Sequence, residues 1–335
     1  MTAMADEIAE APDAAARLLQ AGTRIDAIAA ALRAREIPFV VLCGRGSSGH
    51  AGVALRYLIE SHLGLIVSAS APSIITSYRI APKVAGALFV VISQSGRSPD
   101  LVAATRAARQ GGALTLAIVN DPLSPAAAAA EWVLPIAAGP ERAVAATKTV
   151  VCSMIAGAAL VARWAGDDTL LQAVARLPQR LAAAQDLDWS AWTADLAGTP
   201  TPFVTGRGHG FGTIREIALK VSETLRLPAL AYSAAELRHG PRAAVHAGTP
   251  VLALRQNDEV AASIDGLVRD LSAQKVPVHC CGGPLGNLPW LADDHPACDP
   301  IAMLIPAYRA IEKEARRRGF DPDSPPSLSK VTETL

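Results

Sequence analysis

The sequence is short of aromatic residues, at 4% of 335, and it has no net charge, with 31 Lys and Arg against 31 Asp and Glu. A neutral chain lacks the electrostatic footprint of a nucleic-acid binder, and no basic stretch is interleaved with aromatics. Nucleic acid is therefore not an expected partner. Cysteine is sparse: five residues, at 43, 152, 280, 281 and 298. An odd count without framework spacing excludes a disulfide scaffold and predicts a reduced, cytoplasmic protein. Half of the residues are apolar, but much of this is Ala in helix-like segments. The longest apolar stretches read as too short or too interrupted to span a bilayer, so no membrane partner is expected. The N-terminus carries Asp6, Glu7, Glu10 and Asp13, unlike a secretory signal. His279, Cys280, Cys281, His295 and Cys298 are metal-ligating residue types. Val276–Cys281 reads as a buried strand, however, and adjacent Cys point to opposite faces of a strand, so no metal is expected.

Strand-like runs alternate with helical ones, the pattern of α/β units around a mainly parallel sheet. The first half offers strands at Pro38–Cys43, Leu65–Ser68, Ala87–Ile92, Ala113–Val119 and Trp132–Ile136. An Ala-rich helix is expected from about Glu141 to Ala165, with more helix around Leu170–Ala184. Asp186–Pro202, with two Trp, reads as a linker. The second half then repeats the opening phrase: Pro38-Phe39-Val40-Val41-Leu42-Cys43-Gly44-Arg45-Gly46 is matched by Pro202-Phe203-Val204-Thr205-Gly206-Arg207-Gly208. Each is followed by a polar turn and a helix, which indicates a duplicated α/β domain. The division expected is N-terminal helices at 1–36, a first domain at 37–185, a linker at 186–200, a second domain at 201–318 and a tail at 319–335.

Ser93-Gln94-Ser95-Gly96-Arg97-Ser98 follows the apolar run Ala87–Ile92 and precedes a helix opened by Pro99 and Asp100. Hydroxyls, an amide and a Gly between a strand and a helix N-terminus suit an anion, because the free N–H groups and the dipole favour phosphate. Ser and Asp also cap helices for structural reasons. The second half has Arg255-Gln256-Asn257-Asp258 at the corresponding place, with an acid and no Gly. A phosphate cradle is therefore expected in the first domain alone. Gly44-Arg45-Gly46-Ser47-Ser48-Gly49 is a literal G-x-G-x-x-G. The next strand ends without the Asp or Glu that would bind a dinucleotide ribose, so no nicotinamide cofactor, and no cofactor at all, is expected. The same turn can serve as a second wall of a sugar-phosphate pocket.

Glu216, Lys220 and Glu223 fall at spacings of four and three, which puts them near one face of a helix. A solvated ladder of ion pairs is the plain alternative. His239 is followed by Gly240-Pro241 in a loop rich in small residues, a poor core element and a plausible acid–base group.

Taken together, the chain resembles the double sugar-isomerase (SIS) domain family. The stretches that carry the resemblance are Gly44–Gly52, Ser93–Ser98, Glu141-Arg142-Ala143-Val144-Ala145-Ala146-Thr147-Lys148, Ala218–Glu223, Glu236–Pro241 and Leu328-Ser329-Lys330-Val331-Thr332. It is similar to the isomerase half of glutamine–fructose-6-phosphate aminotransferases. The resemblance implies two tandem SIS domains, each a mainly parallel sheet flanked by helices in a flavodoxin-like three-layer arrangement. It implies a sugar-phosphate substrate whose phosphate is held by Ser48, Ser93, Gln94, Ser95 and Ser98. Gly44, Ser47, Ala145, Lys220 and Glu216 would line the sugar site. Glu223 would move a proton between C1 and C2, His239 would open the ring, and Lys330 matches a Schiff-base lysine. A homodimer is implied, with His239 serving the partner's site. The first strand comes too early to leave room for a glutaminase domain, so the expected activity is that of the stand-alone deaminases: glucosamine 6-phosphate and water to fructose 6-phosphate and ammonia. An aminotransferase-type isomerase module, a galactosamine-6-phosphate deaminase, a fructosamine-phosphate deglycase and a non-catalytic sugar-phosphate regulator remain alternatives.

Overall fold

The computed structural model describes residues 2–330. Three helices, α1 (Ala3–Ala9), α2 (Ala11–Leu19) and α3 (Gly22–Arg33), lead into β1 (Val40–Cys43), α4 (Gly46–Leu63), β2 (Val67–Ala69), α5 (Pro72–Thr76), β3 (Leu88–Ser93), α6 (Pro99–Gln110), β4 (Leu114–Val119), α7 (Pro125–Ala129) and β5 (Trp132–Pro135). Then come α8 (Lys148–Ala165), α9 (Asp168–Ala184), α10 (Ser190–Ala194), β6 (Phe203–Gly206), α11 (Phe211–Leu225), β7 (Leu230–Ser233), α12 (Ala234–Arg238), β8 (Val251–Leu254), α13 (Ala261–Ala273), β9 (Val278–Cys281) and α14 (Asp299–Arg317). The chain forms two compact units. Among the described residues, one contains 13–141, 148–175 and 328–330; the other contains 2–12, 142–147 and 176–327.

The first-sheet unit is built on five parallel strands in the order β2-β1-β3-β4-β5. Its central strands are apolar throughout because helices cover both faces: every residue of β1 and β3 is buried. One face carries Phe89, Val91, Leu101, Ala104 and Ala117. Against the other lies α8, which is long and apolar enough to cross a membrane by length and composition alone, yet is 89% buried inside the protein. Gly64, at a left-handed φ of 66°, ends α4. The second-sheet unit repeats this topology with four parallel strands, β7-β6-β8-β9. Its core includes Phe203, Leu237, Val251, Ile264, Leu267 and Cys280.

Two features depart from the sequence reading. The helix expected from Glu141 begins at Lys148. Within the second-sheet unit, the N–H groups of Arg142 and Ala143 donate to the Glu7 carboxylate and that of Val144 donates to the Asp323 carbonyl. These donors are committed to partners remote in sequence and are not available to a helix. Glu141 itself caps α8, accepting from Thr149 N at 3.1 Å and Thr149 Oγ1 at 2.7 Å. The stretch read as a linker is also packed. It carries α10, buries both Trp189 and Trp192, and sets their rings edge to face with centroids 6.5 Å apart. The Pro-rich segment after α14 has neither helix nor strand, and Asp323 accepts from the N–H groups of Ala3 and Met4 at the start of α1.

The N-terminus of α14 is tied down by charge. Asp299 accepts from Arg180 at 2.8 Å and from Asp294 N, while Arg176 pairs with Asp294. Burial pushes the Asp299 carboxyl up to about 6, against the pull of the Asp294 N–H and Arg180. A raised carboxyl pKa means that the folded state holds the proton more tightly than the unfolded chain, so stability falls as pH rises from about 4 to about 6. Asp299→Asn should remove about 2 kcal/mol of that fall. Urea unfolding of both proteins at pH 4.5 and 7 reads it, and parallel pH dependences would refute it.

Candidate active site

In the first sheet, β1 leads outward to β2 on one side and β3 to β4 on the other. The crevice beyond the carboxyl ends of β1 and β3 is thus the point where strand order reverses, the place where open α/β sheets take ligands. Two helices start there. The 18-residue α4 has Arg45 at its N-cap and the 12-residue α6 has Ser98, and neither cap makes a side-chain hydrogen bond. Ser98 thus does not cap α6 through its side chain, whereas Asp100, the other residue able to cap, accepts from the Leu101 N–H at 2.8 Å.

The turn between β3 and α6 is preorganised. Ser93 Oγ accepts from Gly96 N at 3.1 Å and Ser95 Oγ accepts from Arg97 N at 3.2 Å. With backbone donors on their oxygens, both hydroxyls keep a proton to donate. Gly96 has φ of 63°, and a Cβ there would fall 2.1 Å from Ser124 Oγ, so no other residue fits without displacing Ser124. Gly44 is also tightly packed, since a Cβ would meet the Ser48 backbone at 3.0 Å. Gln94, Ser47, Ser48 and Ser98 are half-buried around the two helix starts. Arg45 binds Asp100 through both Nε, at 3.0 Å, and Nη2, at 2.8 Å, which fastens the start of α4 to the start of α6. Sequence reading missed this pair. Arg45 was visible only as a variable position of the glycine motif, and Asp100 only as a helix-opening acid.

Lys330 belongs to this unit, where its Nζ lies 3.1 Å from the fully buried Glu141 carboxylate. Val331 and Thr332, which share its motif, lie outside the described residues.

The corresponding crevice of the second sheet, between β6 and β8, is filled from within. Gln256, 1% exposed, donates to the Arg207 carbonyl at 2.7 Å and to Asp258 at 2.9 Å. A Cβ on Gly208 or Gly210 would meet the Gln256 side chain at 3.3 or 3.1 Å. Burial also raises the Asp258 carboxyl. Arg255, on the same turn, is engaged with Asp265 at 3.3 Å and Asn257. This turn is occupied by its own amide and lined by a carboxylate, unlike the serine turn of the first sheet.

Glu216, Lys220 and Glu223 of this unit are on α11. Glu216 and Lys220 are fully buried and 3.4 Å apart, and Lys220 Nζ also contacts Glu223 Oε2. Glu223 alone keeps an opening, with its side chain 22% exposed. This is not a solvated ladder. Burying an ammonium between two carboxylates requires close pairing, because either charge alone would be strongly penalised. The Tyr308 hydroxyl, on α14, donates to Glu216 at 3.2 Å and was not anticipated from sequence. His239 caps the C-terminus of α12 and is exposed, and no hydrogen bond or ion pair joins it to Glu223 among the described residues. Ala145 is buried in the same unit, in the irregular segment before α8.

A parallel α/β unit with an open serine turn at its switch point, and a topological copy that carries a buried cluster of ionisable residues, define the class of this protein. Residues 36–163 and 196–281 match the SIS domain, and the chain belongs to that family. It is 32% identical to the glutamine–fructose-6-phosphate aminotransferase of Symbiobacterium thermophilum, over 90% of this chain and 52% of the relative. The chain thus spans about half the length of the curated relatives it matches. Among solved structures, a protein of Silicibacter pomeroyi DSS-3, whose phosphosugar isomerase activity is assigned rather than established, is 39% identical with a TM-score of 0.92, covering 96% of this chain and 100% of its own. The glucosamine-6-phosphate deaminase of Thermotoga maritima shares the fold at 21% identity and a TM-score of 0.81, covering 99% of this chain and 100% of its own.

The contrast between the two crevices is testable. Ser95→Ala should weaken binding of a sugar 6-phosphate by about 1–3 kcal/mol, the cost of one hydrogen bond to a charged group. Asn257→Ala should leave it unchanged. Calorimetric titration separates the two, and a reversed pattern would refute the assignment.

Proposed function

We propose that the chain is a phosphosugar isomerase that works as an amino-sugar phosphate deaminase, converting glucosamine 6-phosphate and water to fructose 6-phosphate and ammonia. The observation that carries this reading is Glu223: a carboxylate with a partly open face, held by a buried ammonium on a rigid helix. Aldose–ketose chemistry needs one such group and little else. The serine turn, together with Ser48 of α4, would bind the phosphate through Ser48, Ser93, Gln94, Ser95 and Ser98, and such binding energy is what orients a substrate.

In this scheme His239 protonates the ring oxygen and takes the O1 proton, which opens the pyranose to the 2-amino aldehyde. Glu223 removes the C2 proton. The electron pair of that bond forms a C1–C2 double bond, and the carbonyl oxygen takes a proton to give an enolamine. Glu223 then returns its proton to C1, leaving C1 as an alcohol carbon and C2 as an imine. Water adds to C2 and ammonia leaves. Lys330 would neutralise or engage the ketose end from the C-terminal segment. The exposure of His239 and its lack of contact with Glu223 support a second copy of the chain as the receiver of that histidine, so the active form proposed is a homodimer.

Glu223→Gln keeps the shape and removes the proton acceptor. It should lower turnover by about 10²–10⁴-fold while substrate still binds. Ammonia and fructose 6-phosphate are assayed directly, and deuterium entering at C1 of fructose 6-phosphate in heavy water reads the proton transfer alone. A Glu223→Gln protein with wild-type exchange would sink the mechanism. A wild type that neither releases ammonia nor exchanges hydrogen with gluco-, galacto- or fructosamine phosphates would sink the function.

A further inference from the structure

Among the described residues, four arginines carry a guanidinium nitrogen that is buried and has no hydrogen-bond partner: Arg180, Arg242, Arg255 and Arg318. Three of them still hold a carboxylate. Arg180 pairs with Asp299 at 2.8 Å, Arg255 with Asp265 at 3.3 Å and Arg318 with Glu314 at 2.6 Å. Arg242 holds none. Both its Nη1 and its Nη2 are buried without a hydrogen-bond partner, and no ion pair reaches it among the described residues. Its place in the chain sharpens the anomaly. Arg242 lies in the short 3-10 turn Pro241–Ala244 that follows α12 and His239. This is a surface loop: Arg238, His239, Gly240, Ala243 and Ala244 are exposed. A long cationic side chain at such a place normally lays its stem on the protein and keeps the charged head in water. Arg242 does the reverse. The residue is half-buried, and what stays exposed excludes both terminal nitrogens. A guanidinium cannot escape desolvation by losing its proton. This one is held against its solvation, and an anion on its fork is what satisfies it.

We propose that Arg242 is an oxyanion-binding residue, whose guanidinium leaves its buried position to take an anion of phosphate type at the His239 loop. The planar fork matches two oxygens of a phosphate. The loop has room for the movement, since a Cβ on Gly240 would meet nothing within 4 Å. No ion pair has to break first, and leaving restores the solvation that burial removed. In a hexose 6-phosphate the carbon that bears the phosphate is attached to C5, which is bonded to the ring oxygen. A cation three residues from His239 therefore suits the phosphate of the sugar whose ring oxygen His239 protonates. That link rests on the ring-opening reading; oxyanion binding by Arg242 does not, and a free phosphate ion offers the same chemistry.

The test measures binding, not turnover, on the full-length protein. Inorganic phosphate and fructose 6-phosphate are titrated calorimetrically into wild type, Arg242→Gln and Arg242→Lys. Arg242→Gln should bind inorganic phosphate about tenfold more weakly, the loss expected for a charge-assisted pair. Arg242→Lys keeps the charge without the fork and should fall between the two. If fructose 6-phosphate weakens to the same extent, the anion is the phosphate of the sugar. If fructose 6-phosphate is unaffected, the arginine serves a separate phosphate ion. In phosphate-free buffer Arg242→Gln should melt no lower than wild type, because it no longer carries an unpaired buried cation. Unchanged affinity for both ligands in a folded Arg242→Gln protein would overturn the proposal. So would a variant that fails to fold or melts lower in phosphate-free buffer, which would assign the guanidinium to structure. A wild type that binds phosphate through Arg242 but neither exchanges hydrogen nor releases ammonia would remove the isomerase reading and leave this inference standing.

Discussion

A parallel strand pair has to be joined by a crossover, and here the crossovers are helices. Each strand therefore delivers the chain to a helix N-terminus on the same edge of the sheet, and where strand order reverses two such termini flank one crevice. Both sheets meet this constraint in the same way, at β1/β3 and at β6/β8. The fold offers two equivalent crevices, and side chains decide which one stays open. In the first, Gly96 and Gly44 bring backbone close and serine hydroxyls keep protons to donate. In the second, the Gln256 side chain packs against Gly208 and Gly210 and donates to the Arg207 carbonyl, which fills the crevice from within the protein. One crevice is thus left open, and the other is filled by the protein's own side chain.

That division suits the chemistry proposed. A phosphate carries charge that would oppose ionisation of a neighbouring carboxylic acid and would compete for its lysine. Placing Glu216, Lys220 and Glu223 on a helix whose own crevice is plugged keeps the ammonium committed to the two carboxylates. The Arg45–Asp100 pair plays the complementary part in the first unit. Its guanidinium is half exposed, but both of its contacts go to one buried carboxylate oxygen, so the arginine clamps two helix starts together.

Most of the strands could be read from sequence because parallel strands are buried on both faces and appear as unbroken apolar runs, as Leu88–Ser93 does. The serine turn was legible for a related reason: hydroxyls and glycine stand out against the apolar run before them. The face shared by 216, 220 and 223 followed from helical spacing. What spacing could not give was burial, and burial separates a surface ladder from a desolvated cluster. Residues 142–144 were misread as helix because the partners that occupy their N–H groups, Glu7 and Asp323, come from the two ends of the chain, and local propensity is silent on such partners. Tyr308 and the Gln256 plug were invisible for the same reason. Each takes its meaning from a residue dozens of positions away.

The Glu216–Lys220–Glu223 cluster is the least economical part of the molecule. Fully burying an ammonium and a carboxylate costs several kcal/mol per ion before their attraction is counted, and well-packed apolar residues of similar volume would often be as stable. A scaffold requirement for α11 to pack on α14 is already met by Ile214, Ile217, Val221 and the wholly buried apolar residues of α14. The charges are therefore surplus to folding. A surplus of that kind, ending in one carboxylate with an open face, is what a reaction needs from a base: an acceptor whose position and charge are fixed before the substrate arrives, so that no reorganisation is left for the moment of proton transfer.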